Sequence, residues 1–293
     1  MDERAALRLI ADTLPSAGDD AAVVDGRVLT IDMLHEETDF PDGVTPYTVG
    51  WRTVGASLSD IAAMGARAVA AVAVYAAPTF DPDDLSAFIT GAREVCAAVD
   101  AEYVGGDLDH HKEFTVATTA LGETDTPVYR SGARPGDVVC VTGTLGRTGA
   151  ALRYFEESNT ERGNSLFQFQ PRVSVGLDLA PVATAMMDSS DGLARSLHQL
   201  AEASDVGFAI EADALPIDEA VHAVATDGAA ARELGLFVGE DFELVVTMPE
   251  EALSDIQTQV DVSLTAVGTV TTADAGVTID GEALPDRGYT HSG

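Results

Sequence analysis

Asp25-Gly26 stands between two apolar runs, Ala21–Val24 and Arg27–Ile31. That dipeptide in that setting folds a chain back on itself as a β-hairpin. Gly18-Asp19-Asp20 leads into the first run, and the second ends on Asp32. The hairpin therefore predicts Asp20 and Asp32 at one end of a sheet. Carboxylates gathered there repel each other unless a cation lies between them, and a divalent metal with oxygen ligands meets that need. The alternative is a solvated turn, a setting that aspartate also favours.

Further along, the pattern alternates short apolar runs with helical stretches, which is the mark of mixed α/β or α+β architecture. Residues 3–14 read as a short helix ended by Pro15. His35 to Phe40 reads as a polar loop, closed by Pro41 and Gly43. Pro46 opens a long helix to about Met64, stopped by Gly65. Its small residues Gly50, Gly55, Ala56 and Ser57 demand a close-packed neighbour, and Val54, Leu58 and Ile61 mark its core face. Ala68–Tyr75 is an apolar strand. Asp81-Pro82-Asp83-Asp84 starts a helix that runs to about Val99. Tyr103 to Asp107 reads as a short strand breaking into a glycine loop, followed by a strand over Phe114–Leu121. Residues 123–136, rich in Thr, Pro and Gly, form the boundary between an N-terminal domain, 1–126, and a C-terminal one, 127–293. The second half reads as strand Asp137–Thr142, a glycine-rich turn into a helix, and a mobile polar loop over 158–170. Helix Leu193–Ala203, strands Phe208–Glu211 and Leu244–Met248, and a helix from Pro249 follow.

The net charge of −33 limits the partners. Lys112 is the sole lysine, so no basic patch exists to neutralise phosphates, which argues against nucleic acid and anionic membranes. Acid-rich, lysine-poor and normally apolar, the chain reads as a folded protein kept soluble in concentrated salt, where screening quiets self-repulsion. Cys96 and Cys140 are isolated and read as buried, reduced thiols. The opening Met-Asp-Glu-Arg lacks the basic and apolar segments of a signal peptide, so a cytoplasmic, non-membrane location is expected.

Four acidic places share one grammar: Asp20 with Asp32, Asp60, Asp107, and Asp188 with Asp191. Most fall where a strand gives way to glycine and a turn or helix, where α/β folds gather ligands. Asp188 and Asp191 also suit a helix cap and first turn, and Asp107 a plain turn. Asp60 is different, because a helix-interior aspartate among Leu58, Ile61, Ala62 and Ala63 has no local reason to be there. Lys112 lies in no Walker pattern, Gly143–Gly149 lacks the dinucleotide spacing, and neither a GxSxG elbow nor an HExxH helix occurs. A strongly acidic protein holds a polyphosphate only through cations such as Mg²⁺ set between carboxylates and phosphates.

Taken in order, Gly18-Asp-Asp-Ala21, Thr30-Ile-Asp-Met-Leu34, Leu58-Ser-Asp-Ile-Ala-Ala-Met-Gly-Ala66 and Gly105-Gly-Asp107 resemble the thiamine-monophosphate kinase family. So do Arg130-Ser-Gly-Ala-Arg-Pro-Gly-Asp137, Asp188-Ser-Ser-Asp-Gly-Leu193 and Gly239-Glu-Asp-Phe-Glu-Leu244. The family belongs to the aminoimidazole-ribonucleotide-synthetase-like superfamily. The resemblance covers nearly the whole chain. It implies an α/β plus α+β, two-domain synthetase-like fold whose N-terminal strands pair across a homodimer. It also implies phosphorylation of thiamine phosphate to thiamine diphosphate by ATP, in line and without a phospho-enzyme. By motif, Asp20, Asp32, Asp60, Asp107, Asp188 and Asp191 would ligate Mg²⁺, joined by Thr30 and Ile31 through oxygen atoms. Of these, Asp20, Asp32 and Asp60 carry the catalytic expectation. Gly106, Asp107, Arg130 and Ser190 would face ATP, and Asp39, Glu240 and Tyr289 the thiamine phosphate. The family often has histidine where Asp39 stands, serine or threonine at Ile31, and glycine at Val238. The alternatives are a purine-pathway synthetase of the same superfamily and a non-catalytic, cation-binding dimer on the same fold.

Overall fold

The computed structural model describes residues 9, 10, 13, 14 and 17–289. The helix expected over 3–14 lies largely outside those residues.

The hairpin forms as its turn residues require. β1 (Ala22–Val24) pairs antiparallel with β2 (Arg27–His35), and Asp25 and Gly26 both take positive φ, 49° and 74°, as the primed turn demands. β2 does not end on Asp32. It pairs with β5 (Thr115–Glu123) from Arg27↔Glu123 to His35↔Thr115, which places Asp32 mid-strand opposite Thr118. Its inward residues Val28, Thr30, Asp32 and Leu34 alternate with exposed Leu29, Ile31 and Met33. The expected loop after it is instead a helical turn, α1 (Glu36–Asp39).

α2 (Pro46–Ala63) is the long helix. The Thr45 hydroxyl accepts from Thr48 N, Pro46 opens the first turn, and Gly65, at φ 61°, closes it in a Schellman arrangement. α2 lies between the first sheet and the second half of the chain. Val54, Leu58 and Ile61 belong to a continuous core with Val173, Leu179, Met186 and Leu244. α3 (Pro82–Ala97), capped by Asp81, crosses α2 where Gly50 and Gly91 meet. A Cβ on Gly50 would sit 2.0 Å from the Phe88 carbonyl oxygen, and one on Gly91 as close to that of Tyr47.

β3 (Arg67–Ala77) and β4 (Glu102–His110) complete the five-stranded order β1-β2-β5-β3-β4. The glycine loop expected at Gly105-Gly106 is strand. A register shift opposite Ala71 and Val72, with Gly105 at φ 144°, lets edge strand β4 run on through Asp107. α2 and α3 cover one face of this sheet. Leu29, Ile31, Met33, Val72, Val74, Val104 and Leu108 leave apolar side chains exposed on its strands.

The second half opens with β6 (Val138–Thr142), α4 (Arg147–Glu156), α5 (Thr160–Phe167), α6 (Val173–Leu179), β7 (Ala185–Asp188) and α7 (Leu193–Ser204). It continues with β8 (Val206–Ile210), α8 (Glu219–Val224), α9 (Gly228–Phe237), β9 (Leu244–Met248), α10 (Glu250–Ile256), β10 (Leu264–Thr272), β11 (Val277–Ile279) and β12 (Glu282–Ala283). The sheet order is β12-β11-β8-β10-β6-β9-β7. The mobile loop expected over 158–170 is mostly α5: Asn159 caps it, and Leu166 and Phe167 are buried against Phe155. Cys96 and Cys140 are buried free thiols, pushed up to about 12 by burial. Among the described residues, no helix is long and apolar enough to cross a membrane.

Candidate active site

Three carboxylates from distant parts of the chain converge. Asp20 comes from the turn before β1, Asp60 from the last turns of α2, and Asp188 from the end of β7. Each offers an oxygen within 4.8 Å of the other two. Short local bonds fix their orientations. Thr30 Oγ1 on β2 donates to Asp60 Oδ2, and Ser59 Oγ donates to Asp188 Oδ2 at 2.6 Å. Arg130 grips Asp20 with two nitrogens, at 2.8 and 3.2 Å, while its backbone N–H donates to Asp19 Oδ1 at 3.0 Å. Asp32 stands alongside, accepting from Ser57 Oγ at 2.6 Å. Ser57 is itself within 2.7 Å of the Thr118 hydroxyl.

The electrostatics are those of a site short of positive charge. Burial pushes the Asp60 carboxyl well up, and the charges of Asp32, Asp188 and Asp20 push it further. Burial raises Asp188 to about 7, with Asp20 adding to it. Burial likewise raises Asp32, and carries Asp19 to about 6 with Asp20 as the second cause. The 1 % exposed Asp188 keeps Oδ1 without a hydrogen-bond partner. A buried, unpartnered carboxylate oxygen facing two more carboxylates is a donor set suited to a hard cation. Mg²⁺ fits these residues.

A cleft of about 90 Å³ lies beside the cluster, lined by Asp32, Ala56, Ser190, Asp191, Glu240 and Tyr289, among others. Tyr289 N–H donates to the Asp191 carbonyl at 3.0 Å, and its hydroxyl donates to Asp39 Oδ1 at 2.8 Å. Buried Asp39 also accepts from His35 N–H at 2.7 Å. Glu240 N–H donates to the Ser190 carbonyl at 2.6 Å, and its carboxylate meets Arg52.

The fold thus gathers Asp20, Asp32, Asp60 and Asp188 around one point, with Thr30 and Arg130 as orienting partners. It gathers Ser190, Asp191, Glu240, Tyr289 and Asp39 around the adjoining cleft. Ile31 turns its side chain to the open sheet face, so only its backbone carbonyl is available to the site. Gly106 and Asp107 stand apart. β4 lies three strand spacings from β2, about 14 Å, and Asp107 Oδ1 accepts from Leu108 N–H at 2.9 Å. The orienting residues Arg52, Ser57 and Ser59 escape sequence reading. The adjacency of Ser59 to Asp60 was the one signal that pointed to any of them.

Residues 18–124 match the family described as AIR synthase related protein, N-terminal domain, and residues 134–280 its C-terminal domain. The thiamine-monophosphate kinase of Halobacterium salinarum is 60% identical over 291 residues, covering 99% of this chain and 100% of that protein. That of Methanospirillum hungatei is 37% identical, with 99% of each chain covered. The structure of AaThiL complexed with AMPPCP and TMP superposes with a TM-score of 0.91 at 28% identity, covering 99% of this chain and 97% of that one. A chain of the HypE–HypF complex, at 21% identity and a TM-score of 0.75, shares the fold. The chain belongs to the thiamine-monophosphate kinase family of AIR synthase related proteins.

Proposed function

We propose that this chain transfers the γ-phosphoryl group of ATP to the phosphate of thiamine phosphate, giving thiamine diphosphate and ADP by direct in-line displacement. The observation that carries the reading is the Asp20, Asp60 and Asp188 cluster, with its unpartnered Asp188 oxygen, set against the cleft of Glu240 and Tyr289. The relatives' names and the AaThiL complex support it.

In this reading Asp20, Asp32, Asp60, Asp188 and Asp191 hold Mg²⁺ with Thr30 and the Ile31 carbonyl. When bound, Mg²⁺ neutralises charge developing on the phosphates and orients them. The chain's own work is positioning. The hydroxyls of Thr30, Ser57 and Ser59 each tie down one carboxylate oxygen and leave the other for ligand. Arg130 orients Asp20 and brings positive charge to the edge where ATP binds together with Ser190. Asp39, Glu240 and Tyr289 form the end of the cleft that receives thiamine phosphate. No covalent step falls to the protein, so rate comes from alignment and charge compensation.

We also propose a homodimer in a salt-rich cytoplasm, with the division at residues 126 and 127 separating the ATP and Mg²⁺ half from its cover. The exposed apolar face of the first sheet supports the dimer. Gly106 and Asp107, remote from the cluster of their own chain, then serve the site of the second copy. The test is an ADP-release assay in molar KCl with Mg²⁺, comparing thiamine phosphate, thiamine and other phosphorylated acceptors. Release driven by thiamine phosphate alone supports the proposal. Release driven by unphosphorylated thiamine, or by a purine-pathway acceptor instead, refutes it.

A further inference from the structure

Arg52 is the bulkiest side chain in the structure with almost no exposure, at 1 %, and it sits in the middle of α2. A guanidinium is buried at such cost that its partners show what it is there for. Nη1 donates to the Phe167 carbonyl at 2.7 Å. Nη2 donates to Glu240 Oε2 at 2.9 Å and to the Glu240 carbonyl at 3.0 Å, with the Thr148 hydroxyl at 3.3 Å. The guanidinium carbon lies 3.6 Å over the Phe167 ring, and the stacked pair Phe169 and Phe242 flanks it.

Those contacts converge on a strained turn. Glu240 and Phe242, neither of them glycine, take left-handed φ of 66° and 54°. The turn is pinned on every side. Glu240 N–H donates to the Ser190 carbonyl, and Thr148 Oγ1 donates to the Glu240 carbonyl at 2.8 Å. Asp241 accepts from the N–H groups of Gly146 and Thr148. Arg52 alone among these partners reaches the Glu240 carboxylate. That carboxylate is half-buried at the wall of the cleft that holds Asp32, Asp191 and Tyr289.

We infer that Arg52 is a positioning residue for the substrate end of the site: it fixes the Glu240 carboxylate, and α2 sets its distance from the acidic cluster. Arg52, Ala56 and Asp60 stand at i, i+4 and i+8, one stripe along the helix. Ala56 lines the cleft, and Asp60 ends the stripe in the cluster. Eight residues of helix span about 12 Å. One rigid element therefore carries the hold on Glu240 at one end and a carboxylate of the cluster at the other. Arginine rather than lysine is required, because only a planar fork reaches the Phe167 carbonyl together with the Glu240 carbonyl and Oε2.

The inference rests on the proposed reading of Glu240 as a thiamine phosphate contact, and its test separates the two. Arg52→Lys keeps the charge and loses the fork. It is expected to raise KM for thiamine phosphate about tenfold, the scale of one hydrogen bond to a charged group, with kcat and KM for ATP changed less than about twofold. In a Glu240→Gln background the same substitution should move KM less than about twofold, because the group it positions is already altered. Thr148→Val removes the hydroxyl donor to the same Glu240 carbonyl, and should shift the same constant in the same direction. Melting temperatures of the four proteins of the Arg52 and Glu240 cycle, without substrate, should be non-additive. A wild-type protein that makes no thiamine diphosphate overturns the functional reading, and the melting cycle still decides the link between Arg52 and Glu240. An active wild type overturns the Arg52 inference if the two substitutions add in both KM and melting temperature. So does an Arg52→Lys protein that loses kcat and ATP affinity together.

Discussion

Asp60→Asn removes one charge from the cluster and keeps shape and an acceptor for the Thr30 hydroxyl. Its oxygen lies within 4.8 Å of those of Asp20 and Asp188. Two charges at that separation repel by about 3 kcal/mol at an effective dielectric near 20, and the partial exposure of Asp60 brings this to about 2 kcal/mol. Without divalent cations the variant should therefore be the more stable protein, by roughly 3 °C in melting temperature at about pH 8. Molar KCl screens the surface but leaves this enclosed group of charges largely unscreened. Turnover should fall about a hundredfold or more, the scale of losing one central electrostatic contact. Calorimetry with and without Mg²⁺, alongside the ADP-release assay, reads both effects. The wild type should gain stability from Mg²⁺, and the variant much less. An Asp60→Asn protein that melts lower without cations, gains as much from Mg²⁺ and turns over normally would mean that Asp60 neither repels its neighbours nor holds the cation.

Raised carboxyls give a pH signature of definite sign. Folded Asp188 titrates at about 7 against 3.8 in the unfolded chain, and Asp60 is raised in the same direction, so the folded state holds protons that the unfolded state has lost. Cation-free stability should then fall as pH rises through that window and level off above it, with Mg²⁺ removing the fall; a melting profile that rises between about pH 5 and pH 7 contradicts this. The net charge of −33 predicts a melting temperature that climbs from dilute buffer to molar KCl, and a flat profile would remove the salt adaptation. Dimer exchange tests the placement of Asp107. Asp60→Asn and Asp107→Asn chains, each inactive alone, should recover about a quarter of wild-type activity when mixed and re-associated, because half of the dimers then carry one intact site. A mixture no more active than its parts would place Asp107 elsewhere.

Much of the fold was legible because its signals are local. The Asp25-Gly26 turn, the Asp81 cap and the Pro46 and Gly65 ends of α2 lie within a few residues of what they specify. Asp60 was legible by contradiction, a charge where a core face had no use for one. What escaped depends on distant partners. β4 runs through Gly105-Gly106 because β3 pairs with it across a register shift, and β2 passes Asp32 because β5 continues beside it. The segment 160–167 is helical because Leu166 and Phe167 bury themselves against residues elsewhere in the chain. Arg52 carries no local signal, since its reason for burial stands 188 residues away at Glu240.

Phosphoryl transfer from ATP to thiamine phosphate is read directly by ³¹P NMR of the complete reaction in molar KCl. The thiamine phosphate resonance should give way to the paired resonances of thiamine diphosphate, matched by ADP and dependent on Mg²⁺. ATP consumed to ADP and inorganic phosphate, with the thiamine phosphate signal unchanged, would contradict it.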